Sequence, residues 1–117
     1  MKRILALLSA VCLFAGCIKQ TPGLTFSPSE IYIKAGCTEC YPITYGFEGE
    51  GISFNDIKRV GEWYDADDRL ICSWDGTQYV TGYNAGDGKI GVVIFNDPQD
   101  MESGIKYSAY CIVHVSE

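Results

Sequence analysis

The sequence predicts an all-β sandwich, and three observations carry that reading. From Leu24 onward no stretch of about eleven residues places apolar side chains at i, i+3, i+4 and i+7, the period of a helix. Short runs rich in β-branched and aromatic residues recur instead about every ten residues, each bounded by Gly, Pro, Asn or Asp. In the last run strict alternation places Tyr107, Ala109, Cys111, Val113 and Val115 on one face, the expected core face, and Ser108, Tyr110, Ile112 and His114 on the other. Seven to eight short strands in roughly 100 residues fit two packed sheets.

Taken in order, Leu24–Phe26 is the first expected strand and Ser27-Pro28-Ser29 the turn after it. Glu30–Lys34 is extended and ends at Gly36. Tyr41–Phe47 follows, then Asp56–Tyr64, which stops at the turn Asp65-Ala66-Asp67-Asp68. Leu70–Trp74 and Tyr79–Tyr83 flank Asp75-Gly76 and read as a hairpin. Lys89–Phe95 lies between the turn signals Asn84-Ala85-Gly86-Asp87-Gly88 and Asn96-Asp97-Pro98, and Tyr107–Val115 closes the sheet. Either tryptophan could be the buried indole of such a sandwich, and Trp63 is the expected one.

The N-terminus reads as an address. Met1-Lys2-Arg3 is a short positive segment and Ile4–Phe14 an apolar run, too short for a permanent membrane span of about 20 residues. Small residues follow it. The segment Leu13-Phe14-Ala15-Gly16-Cys17 resembles the lipobox of bacterial lipoproteins, with Phe14 where that family usually carries Leu. The resemblance implies a signal peptide at residues 1–16, cleavage before Cys17, a diacylglycerol on the Cys17 sulfur and an acylated amine. Several acyl chains exceed the two signals that stable anchoring needs. Residues 17–23 then form a lipidated tether and 24–117 the folded domain. Ile18 stands where an Asp commonly signals inner-membrane retention, so the resemblance points to the outer membrane of the cell envelope.

Loss of residues 1–16 removes Lys2 and Arg3, taking the net charge from −6 to −8. That balance disfavours nucleic acid as a partner, and with no basic patch, membrane attachment has to come from the covalent lipid. The 47 % hydrophobic content is enough for one core, so disorder is excluded.

The run from Leu24 through Ser27-Pro28-Ser29 to Gly36 resembles the opening of the group 2 bacterial Ig-like domains (BIG2-like). Its close is similar too. Tyr79–Gly86, Lys89–Phe95 and Tyr107–Val115 resemble that family's Val-Thr-Gly, Ala-Gly, Ile-rich strand and closing Val-x-Val. The match spans most of residues 24–115, with 48–62 fitting poorly. It implies an immunoglobulin-like β-sandwich.

Cys12 leaves with the signal, so with Cys17 lipidated four cysteines remain: Cys37, Cys40, Cys72 and Cys111. An even number in an exported chain suggests disulfides, and four cysteines allow three connectivities. Strand order in the sandwich favours Cys37 with Cys111 and Cys40 with Cys72. Cys37-Thr38-Glu39-Cys40 has the spacing of a redox motif, yet no helix is there to lower a thiol pKa. A four-cysteine zinc site would need a second close pair, whereas Cys72 and Cys111 lie 39 residues apart. Gly86-Asp87-Gly88-Lys89-Ile90-Gly91 matches a dinucleotide fingerprint in letters, but strand and not helix follows it. Asp65, Asp67 and Asp68 lack the glycine and distal Glu of a calcium loop and read as a solvated turn.

No metal or cofactor is therefore expected, and no catalytic set. The only histidine, His114, is expected on a strand's outward face. Tyr64, Trp74, Tyr79 and Tyr83 are the candidate binding patch, for a protein or glycan. The expected function is a non-enzymatic, lipid-anchored cell-envelope module for adhesion, binding or assembly. The alternative is a small periplasmic inhibitor or an accessory subunit of a polysaccharide-handling complex.

Overall fold

The computed structural model describes residues 22–117. The signal segment 1–16, Cys17 and all but the end of the tether lie outside the described residues. Two four-stranded sheets face each other. The first has the order β2 (Glu30–Lys34), β10 (Asp100–Ser116), β9 (Gly86–Asp97), β5 (Lys58–Val60). The second runs β3 (Thr38–Cys40), β8 (Tyr79–Gly82), β7 (Leu70–Trp74), β6 (Glu62–Tyr64). Among the described residues every strand pairing is antiparallel except that of β2 with β10, which is parallel, and just past β2 Ala35 makes a single parallel bridge to Gly82. Strands three, eight and seven in one sheet against five, nine and ten in the other is the arrangement of an immunoglobulin-like sandwich. A separate ribbon, β1 (Gly23–Ser27) with β4 (Thr44–Glu48), sets Leu24 opposite Phe47 and Phe26 opposite Tyr45.

Period-two side chains build the core. Ile31 and Ile33 of β2, Ile90 and Val92 of β9, and Cys111, Val113 and Val115 of β10 point inward and are buried. They meet Cys72 and Trp74 of β7 and Val80 of β8. The inward face expected for the last strand is the one observed, with Tyr107 and Ala109 half-buried and Cys111, Val113 and Val115 buried.

The boundaries differ from expectation in three places, each for a local reason. The strand expected at Tyr41–Phe47 begins only at Thr44, as β4, and a short β3 ends before it at Cys40; Pro42, in the gap, has no N–H to give a ladder. The one expected at Asp56–Tyr64 becomes a 3-10 turn at Phe54–Asp56, then β5 and β6, with the chain changing sheets at Gly61. There the Gly61 carbonyl accepts from the Trp74 amide at 2.8 Å. Strands β9 and β10 are longer than read, 12 and 17 residues. Polar residues near their turn suggested a loop, yet Ser103 Oγ accepts from the Asp97 amide at 2.8 Å, and Asn96 Nδ2 donates to the Ser103 carbonyl at 2.9 Å.

The buried tryptophan is Trp74, not Trp63. Trp74 is 4 % exposed, whereas Trp63 on edge strand β6 is half-buried.

Candidate functional site

The outward face of the second sheet gathers three of the four residues expected to form a binding patch. Cross-strand register sets its membership. On β8, Val80 and Gly82 point inward, so Tyr79 and Thr81 point outward, and Tyr83 follows on the same side. Ser73 of β7 stands opposite Thr81, and Glu62 of β6 opposite Ser73. Tyr64, two residues past Glu62, shares that face. Tyr64, Tyr79 and Tyr83 are 48, 52 and 44 % exposed. Trp74 is excluded: it pairs with inward Val80, and its Nε1–H donates to the Thr77 carbonyl at 2.7 Å within the fold.

Hydroxyls between the rings are already ordered by one another. Ser73 and Tyr83 hydroxyls hydrogen-bond at 3.1 Å, and those of Thr38 and Thr81 at 2.7 Å. The Tyr64 hydroxyl donates to Glu62 Oε1 at 3.1 Å, which raises the phenol's pKa, the hydrogen bond to Glu62 being the largest cause. These contacts fix the rings of Tyr64 and Tyr83 and lessen the entropy a partner would have to remove. Each hydroxyl keeps lone pairs for a ligand.

Two aspartate turns brace the face. Asp75 Oδ1 accepts from the Thr77 hydroxyl at 2.7 Å, the Thr77 amide at 2.8 Å and the Tyr79 amide at 3.3 Å. Those bonds, the Thr77 hydroxyl first, hold its carboxyl below the usual range and place Tyr79 at the start of β8. Asp65, after β6, accepts from the Asp67 and Arg69 amides, both at 2.9 Å, and from Arg69 Nε at 3.0 Å. Its carboxyl is also lowered, the Arg69 amide being the largest cause. The carboxylate of the aspartate-rich turn thus closes its own loop.

The four cysteines are free thiols and do not meet in the expected pairs. Cys40 points outward from β3, its Sγ 3.8 Å from Gln78 Oε1, whereas Cys72 is buried on β7, two strands away. Two strand spacings are roughly 9.6 Å, beyond the roughly 7 Å that a disulfide spans between Cα atoms. Cys37 lies past the end of the β2–β10 pair, where Lys34 stands opposite Ser116. Cys111 is five residues back along β10, about 17 Å of strand. Only Cys72 and Cys111 share one environment, the core, and burial pushes both thiols up to about 11. In a native alkylation experiment read peptide by peptide, Cys37 and Cys40 are therefore expected to label readily. Cys72 and Cys111 should label only after unfolding, and prompt native labelling of either would contradict this core.

Some of this arrangement was not anticipated. Thr38, Glu62, Ser73 and Thr81 join the tyrosines through sheet order alone; the one local signal was the alternation of Tyr79, Thr81 and Tyr83. His114, expected merely on the outward face, is held between Glu30 and Asp87 on the other sheet. Glycines 86, 88 and 91 of the apparent dinucleotide motif all lie within β9.

Comparison of the sequence with family models and with curated proteins finds no match.

Proposed function

We propose that the chain is a lipid-anchored module of the cell envelope, held at the outer membrane through Cys17, that binds a protein or glycan partner. The face of Tyr64, Tyr79 and Tyr83 carries the reading. Large exposed rings interleaved with ordered hydroxyls suit a partner that offers flat apolar faces edged by hydroxyl or amide groups. The net charge of −8 on residues 17–117 speaks against an anionic partner. Export and anchoring are supported by the positive start, the short apolar run and Ala15-Gly16-Cys17, followed by a polar tether that leaves the sandwich free to present the face.

The test is binding of the full chain in detergent to a glycan array and to solubilised envelope proteins, repeated with Tyr79→Ala and Tyr83→Ala. Central aromatic anchors of an interface each carry about 2 kcal/mol or more, so affinity is expected to fall by more than about tenfold. Because both side chains are exposed, the free energy of unfolding should stay within about 0.5 kcal/mol of the parent. Binding that survives both replacements would move the site off this face.

A further inference from the structure

We propose that His114 is a pH-operated latch that holds β2, the edge strand at the start of the sandwich, against β10 and β9. His114 stands on β10 with Tyr32 of β2 opposite on one side and Asp87 of β9 opposite on the other. Its Nε2 is 2.6 Å from Glu30 Oε2 and its Nδ1 2.8 Å from Asp87 Oδ1. An ionised carboxylate only accepts hydrogen bonds, and a neutral imidazole carries a single N–H. One of the two contacts would then set a lone pair against a carboxylate oxygen. Only the doubly protonated ring satisfies both, so this geometry belongs to the imidazolium. Tyr32, 71 % exposed, stacks on the ring with centroids 4.6 Å apart and planes 20° from parallel, an arrangement that favours the cation.

The other charges on this face are few. Lys34 on β2 and Lys89 on β9 oppose the positive charge, and Lys89 is drawn toward the rings of Trp63 and Tyr110, at 5.8 and 5.3 Å. From β10 the outward neighbours Tyr110, Ile112 and Ser116 bring neither a carboxylate nor a cationic side chain. The carboxylates therefore decide the balance, and their hydrogen bonds, Glu30 first and Asp87 second, raise the imidazole above its ordinary 6.5.

Strand β2 depends on the latch because it is short and pairs on one side only, with β10. A raised folded pKa means that the stabilisation is fully present below the unfolded value and is lost as pH climbs through the folded one.

The test is hydrogen exchange of the full chain in detergent, followed at residues 30–34 from pH 5.5 to 9 and corrected for the intrinsic rate. The parent is expected to lose protection in β2 by about three- to tenfold over that range, while core peptides of β9 do not change. His114→Gln should show the weaker protection at every pH. Flat protection in the parent, or an unchanged pH response in His114→Gln, overturns the latch. Should the variant fail to fold, NMR titration of the parent decides alone: His114 is the only histidine, so its ring signal is unambiguous. A midpoint above 6.5 supports the latch, and one at or below it removes the latch.

Discussion

Trp74→Ala is expected to lower the free energy of unfolding by about 3–5 kcal/mol, the usual range for deleting a buried large aromatic ring. Three losses combine in it. The side chain sits in the core beside Val80, and its removal leaves a cavity between the sheets. The rings of Phe26 and Tyr45 meet it edge-on, with centroids at 5.3 and 5.8 Å, so the same deletion loosens one end of the β1–β4 ribbon, which keeps its contact with β10 through Phe47 and Tyr107. The Thr77 carbonyl also loses its indole donor. Urea unfolding followed by Trp63 fluorescence measures the first effect. Faster exchange of the β1 and β4 amides measures the second. Trp74→Phe keeps much of the volume and loses the hydrogen bond, so its cost should be well below that of Ala. A loss under about 1 kcal/mol for Trp74→Ala would mean that Trp74 does not fill this core.

Why the sequence pointed to Trp63 follows from what local pattern contains. Both tryptophans lie in short strands beside aspartate turns, and alternation says which residues share a face but not whether a strand is central or at an edge. Strand β7 lies between β8 and β6, and β6 has one neighbour; that difference buries Trp74 and leaves Trp63 at the rim. The cysteine pairing failed on the same ground, since Cys40 faces outward and Cys72 inward. Where alternation was long and unbroken, as over Tyr107–Val115, the inward set was legible residue by residue. Tyr79 and Tyr83 could be assigned to one face from parity alone, whereas adding Tyr64 required the order β8-β7-β6. Glu30, Asp87 and His114 gave no local signal, because a parallel pairing brings residues 84 apart in the chain into contact.

The largest effect is expected from the smallest change, Gly91→Ala. Gly91 stands opposite Tyr110 at the middle of the β9–β10 ladder, where the backbones approach so closely that an added Cβ would lie 2.2 Å from the Ala109 carbonyl oxygen. It would also lie 2.8 Å from the Tyr110 Cα. These are backbone atoms, so no rotamer change relieves the clash, and β10 has to move relative to β9. Such a shift also disturbs Cys111 and Val113, which fill the core from the same strand. Overpacking a tight site costs about 1–3 kcal/mol when side chains can give way, and more is expected here because they cannot. Against a stability of about 5–15 kcal/mol, that leaves little or no folded protein near the parent's melting temperature. Gly46→Ala is the matched control. It lies in the β4 strand of the ribbon with open space around the added methyl, so it should be neutral or slightly stabilising through lost chain entropy in the unfolded state. Thermal unfolding by circular dichroism separates the two: a parent-like melt for Gly91→Ala would mean that β9 and β10 do not pair in this register, and the inward face of the sheet would have to be redrawn with them.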